Sequence, residues 1–168
     1  MISLFLIIGS CWSPQIINNL LTKHSQLMTN YNFEYNNIYD DVHVRDIDNI
    51  FGAINEYEHL YIGKTPILFS CHETLYNERR KQYNIKGIAW GDIYNHRTAA
   101  RAAITYGTVL QSFHVLSHEL GHLLGLDHSV TGCDNFMASC NVLSNYNYTV
   151  QQWNQIDLYI EKLNKKLI

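Results

Sequence analysis

Residues 118–128 read His-Glu-Leu-Gly-His-Leu-Leu-Gly-Leu-Asp-His, at the end of an apolar stretch that opens with Gly107 and Thr108 and carries Val109, Leu110, Phe113, Val115, Leu116, Leu120, Leu123 and Leu124. The spacing predicts one helix that ends at Gly125. On that helix His118 and His122 lie about 6 Å apart along the axis and about 40° apart around it, so both imidazoles can reach one ion. Gly125 can take the left-handed conformation that ends a helix without a Cβ clash, which lets the chain turn back and deliver His128.

Three neutral imidazoles leave a fourth tetrahedral position open for water, the arrangement expected of a catalytic zinc and not of a structural one. A set made only of histidine also disfavours calcium and magnesium, which take oxygen ligands. Glu119 follows the first ligand on the flank of the same helix face and is placed to act as a general base without binding the metal. Zinc lowers the pKa of bound water from about 15.7 to about 7, within reach of a carboxylate near neutral pH. The residues therefore predict metal-assisted hydrolysis of an amide, with one zinc ion on His118, His122 and His128 and with Glu119 as the base. His114, one turn before His118, is read as a core histidine, and Leu120, Leu123 and Leu124 as core.

Outward from this helix the chain alternates. Ile2 to Ile8 is a short apolar run, and Ser13 with Pro14 forms an N-cap and first helical residue for an amphipathic helix from Pro14 to about Asn30. Phe33 to Tyr39 reads as extended, Asp46 to Tyr61 as helical, and Ile67 to Phe69 after Pro66 as a strand. Gly87 to Gly91 and Ala99 to Tyr106 are further strand candidates, although the alanines of the second suit a helix equally well. A last helix runs from about Thr149 through Trp153, Ile156, Tyr159, Ile160, Leu163 and Leu167. This succession predicts a layered α+β domain.

With 168 residues, no internal repeat and only Pro14 and Pro66 as prolines, the chain reads as a single domain over 1–168. A formal net charge of −3 gives no electrostatic footprint for nucleic acid or for an anionic membrane, so neither partner is expected. The first segment has two readings. Ile2 to Ile8 followed by Gly-Ser-Cys could be the apolar core and cleavage site of a signal peptide spanning 1–11, which would make the protein secreted and Asn147-Tyr148-Thr149 a glycosylation acceptor. The absence of any Lys or Arg before the run favours a buried first strand and an intracellular protein with free thiols. Cys11, Cys71, Cys133 and Cys140 are too few and too scattered to read as a disulfide scaffold. Cys133 and Cys140 are close enough in sequence to pair or to hold a second metal, though isolated thiols more often do neither.

The histidine motif followed by Met137 in Asn-Phe-Met-Ala-Ser resembles the metzincin metallopeptidases, closely over Ser117 to Ser139 and topologically elsewhere. The resemblance implies a mixed sheet, a first long helix, an edge strand lining the substrate cleft, a long active-site helix, a C-terminal helix, and Met137 as an apolar floor under the ligands. Gly87 to Gly91 is the candidate edge strand. Ser129 after the third ligand is similar to matrixins, the strand candidates before the helix are similar to adamalysins and archaemetzincins, and Ile8-Gly9 is similar to the archaemetzincin start. An archaemetzincin would carry a cysteine where Ser129 stands and a Cys-x-x-Cys near the end, and the absence of both speaks for a single zinc.

The expectation is a hydrolase, a zinc metalloprotease acting on a protein or peptide, with endopeptidase favoured over exopeptidase. The competing readings are a zinc-containing binding module without turnover, against which the intact Glu119 stands, and a zinc amidohydrolase acting on a non-peptide amide. Specificity and oligomeric state are not written in the motif.

Overall fold

The computed structural model describes residues 1–129, 135–138 and 147–166. The elements are β1 (Ile2–Ile8), α1 (Pro14–Leu27), β2 (Phe33–Tyr39), α2 (Ile47–Asn55), β3 (Thr65–Phe69), β4 (Leu75–Asn77), β5 (Gln82–Ile85), β6 (Gly87–Trp90), β7 (Arg101–Ile104), α3 (Val109–Leu123) and α4 (Val150–Lys166). Five strands form one sheet in the order β2-β1-β3-β7-β6, all parallel except β6, which runs antiparallel to β7 at the edge. β4 and β5 form a separate antiparallel hairpin. The mixed sheet with four helices is the α+β architecture expected from the sequence.

β1 is apolar at every position but Ser3 because both of its faces are covered, as is usual for parallel strands. Leu4, Leu6 and Ile8 face one layer with α1, α3 and α4, through Ile17, Leu20, Leu116, Leu120, Ile156 and Leu163. Phe5 and Ile7 face the other, with Ile47, Ile50 and Ile54 of α2. Flanked by β2 and β3, the segment Ile2–Ile8 lies inside the sheet.

The helix starts follow from local chemistry. Ser13 Oγ accepts from Ile16 N at 3.2 Å with Pro14 in the first turn. Thr108 and Gln111 form a reciprocal capping box at α3, and Thr149 with Gln152 repeats it at α4.

Three expectations are corrected. α1 ends at Leu27, not near Asn30, because Met28 caps it and turns fully into the core. The helix read from Asp46 to Tyr61 stops at Asn55; a short 3-10 turn at Glu58–Leu60 follows and brings Tyr61 onto the same apolar cluster as Ile50 and Ile54. The strand candidate Ala99 to Tyr106 holds at Arg101–Ile104, where Ala102 and Ala103 are both buried, one against each layer, between β3 and β6. Cys11 and Cys71 form a disulfide 60 residues apart in sequence, so those two thiols are not free. Its partners meet because β1 and β3 are neighbouring parallel strands whose C-terminal ends bring Gly9 and Phe69 together, with Gly9 N donating to Phe69 O at 2.9 Å. Cys133 and Cys140 lie outside the described residues.

Candidate metal centre

α3 presents His118 and His122 one turn apart on its cleft side, and Gly125 ends it as expected, at φ +87°. Leu126 N donates to Gly121 O and Gly125 N to His122 O, both at 2.9 Å, which is the paired bonding of a Schellman turn. The chain then reverses and returns His128 to the other two.

His118 Nε2 stands 3.1 Å from His122 Nε2 and 3.2 Å from His128 Nε2. In His118 and His122 the other nitrogen faces a carbonyl, His118 Nδ1 donating to Phe136 O at 2.6 Å and His122 Nδ1 to Leu126 O at 2.8 Å. The proton is therefore on Nδ1, and the Nε2 atoms face one another as lone pairs, which is unfavourable unless a cation lies between them. Zinc held tetrahedrally at about 2.0–2.1 Å places its ligand atoms about 3.3 Å apart, so both the spacing and the tautomers fit a shared ion. The carbonyls are the outer partners that orient metal-binding imidazoles. Burial pushes the His118 imidazole down to about 4 and lowers that of His122, so both are neutral and free to bind a metal at ordinary pH.

Glu119 is buried beside the ligands, 6% exposed, and burial raises its carboxyl to about 8. A cation held by the three histidines opposes that rise by favouring the carboxylate. Gly87 of β6 gives Glu119 its room, because a Cβ at position 87 would lie 3.1 Å from the Glu119 side chain and 2.6 Å from Val115 Cγ1. An open cleft of about 480 Å³ follows this contact, with Gly87 on one wall and His118, Glu119 and His128 on the other.

Met137 is fully buried and packs on α3 between the ligands, where a Cβ on Gly121 would stand 2.4 Å from its Sδ. The turn that carries it is tied to the third ligand, since Ser129 N donates to Met137 O at 2.8 Å. Asn135 completes the tie by accepting from Met137 N at 3.0 Å and from Gln152 Nε2 at 3.1 Å. Tyr148 OH donates to Ser117 O at 2.6 Å, fastening the segment before α4 to α3.

The sequence named His118, Glu119, His122, Gly125, His128 and Met137, and the fold brings all six to one place. It did not single out Gly87, Gly121, Asn135 or Tyr148. Gly121 alone carried a signal, because a glycine inside a helix costs about 1 kcal/mol against alanine and calls for a close neighbour. His114, read as core, is half-buried and lines the cleft wall.

No protein-family model matches the chain, and no curated protein does. Among solved structures the chain is similar to the crystal structure of an archaemetzincin from Methanopyrus kandleri, with a TM-score of 0.60 at 14% sequence identity over 97% of this chain and 96% of that one. The likeness extends over nearly the whole chain and shows a metzincin-like fold.

Proposed function

We propose that this chain is a zinc-dependent metallopeptidase in which His118, His122 and His128 hold one zinc ion and Glu119 is the general base. The observation that carries the reading is the convergence of three Nε2 atoms beside a buried carboxylate on the wall of an open cleft. Bound there, zinc supplies Lewis acidity, which acidifies water and polarises a carbonyl. Glu119 takes the proton of the attacking water on its carboxylate and passes it to the leaving amine as the amide C–N bond breaks. Gly125 and Met137 support the ligands, the first by turning the chain to His128 and the second by filling the space under α3.

An endopeptidase is favoured over an exopeptidase. Among the described residues β6 has only β7 as a neighbour, and a free strand edge beside a catalytic cleft can align an extended segment by main-chain hydrogen bonds without needing a chain terminus. The substrate is accordingly a protein or peptide, and neither nucleic acid nor membrane is required. No helix among the described residues is long and apolar enough to cross a membrane.

Digestion of an unbiased peptide library by the zinc-loaded protein, with and without a chelator, tests the reading. Chelator-sensitive cleavage at internal bonds is expected. A zinc-loaded protein that cleaves nothing would leave the non-catalytic zinc module as the better account.

A further inference from the structure

The cleft continues past the metal ligands along α3 toward its N-terminus, where Gln111 and Ser112 form the wall together with Lys86 and Thr105. Ser112 precedes His118 by six positions, about 9 Å along the helix axis. An extended peptide advances about 3.3 Å per residue, so a side chain one or two residues from the reacting bond reaches this end.

Three independent features there suit a negatively charged group. Ser112 is 1% exposed and its Oγ has no hydrogen-bond partner, although a helical serine can ordinarily bond the carbonyl one turn back. Lys86 enters no ion pair among the described residues, and its Nζ donates only to the Glu73 carbonyl, at 3.0 Å. Its main chain is pinned beside the start of the helix, since Lys86 O accepts from Thr105 N at 3.0 Å and from Thr105 Oγ1 at 2.7 Å. The third is the positive end of the 15-residue helix α3 itself. Among the described residues Glu119 is the one carboxylate in the cleft wall, and it stands beside the three histidines.

Building on the peptidase reading, we propose that this end of the cleft is a subsite for a carboxylate side chain, so that the preferred substrates carry Asp or Glu one or two residues from the bond cleaved. Lys86 supplies the charge, and Ser112 Oγ turns toward the arriving oxygen and gains the partner it lacks. Neither residue takes part in the chemistry at the metal.

Peptides identical except for Asp, Asn, Leu or Lys, placed in turn at the two positions on each side of the central bond, are offered to the zinc-loaded enzyme. The same peptides are titrated calorimetrically into the zinc-loaded Glu119→Gln protein, where binding is read without turnover. At one position Asp is expected to bind about ten-fold more tightly than Asn, the scale of a hydrogen bond to a charged group. Added salt should weaken the preference. Lys86→Gln should bring Asp and Asn near parity, Lys86→Glu should favour the Lys peptide, and Ser112→Ala should cost several-fold in Asp binding with metal content and circular dichroism unchanged. Equal binding of Asp, Asn and Leu, or an Asp preference that survives Lys86→Glu, would overturn the subsite. Asn binding as well as Asp, and both better than Leu, would mark an amide pocket and overturn the carboxylate assignment. Acid-selective binding without any cleavage would sink the peptidase reading and leave the subsite standing, whereas cleavage with no acid preference would do the reverse.

Discussion

Met137 lies against Gly121 so closely that a Cβ at position 121 would stand 2.4 Å from the methionine Sδ. Position 121 falls between two ligand positions on α3, so anything that pushes Met137 away also moves the turn whose Phe136 carbonyl orients His118. Gly121→Ala gains helix propensity in isolation, yet overpacking of this kind costs about 1–3 kcal/mol. The variant should be less stable in denaturant titration and should hold zinc less tightly in a competition with a chelator. A stability gain with unchanged zinc affinity would show that the contact is loose.

Ligand and base should separate cleanly. His122→Ala and His128→Ala each remove one of three ligands and should yield protein with little zinc by metal analysis. Glu119→Gln keeps the shape and the ligands, so zinc content should be retained while hydrolysis falls by about 100-fold or more. Near-normal turnover by the Gln variant would exclude Glu119 as the base.

His24 of α1 is fully buried with Nδ1 2.5 Å from Tyr35 OH, and burial pushes its imidazole down to about 4. The unfolded chain, with an ordinary histidine near 6.5, binds more protons than the native state as pH falls from 6.5 to about 4, so native stability decreases through that window. The loss attributable to His24 is on the order of 3 kcal/mol by its lower edge. The His24→Gln protein should show a flatter stability profile between those pH values, measured by denaturant midpoints against the parent protein at the same metal loading. An unchanged slope would place the acid sensitivity elsewhere.

The Cys11–Cys71 disulfide closes a long loop between the ends of β1 and β3. Cross-links over loops of this length contribute about 2–4 kcal/mol. Reduction, or Cys71→Ser, should lower the Tm by several degrees under conditions where zinc content is unchanged. A Tm indifferent to reductant would mean that the bond adds nothing to a pairing the sheet already enforces.

The candidate metal centre was legible in the sequence because its main spacings are local: His118, Glu119 and His122 lie about one helical turn apart, and Gly125 supplies the left-handed residue that returns the chain to His128. The layered fold was legible for a similar reason, since strands covered on both faces, such as Ile2–Ile8, and helices with one apolar face announce themselves by period. What tertiary structure alone decided lies between segments distant in the chain. Ala99 to Tyr106 suits helix and strand alike by propensity, and only its place between β3 and β6 makes Arg101–Ile104 a strand. The short strands Leu75–Asn77 and Gln82–Ile85 have too few residues and too little alternation to show a period. Cys11 and Cys71 pair because two parallel strands end together, Gly87 faces Glu119 because strand β6 passes α3, and Lys86 and Ser112 line the same cleft. Each of these contacts depends on strand order and helix packing, quantities set by the burial of both sheet faces at once and carried by no single stretch of residues.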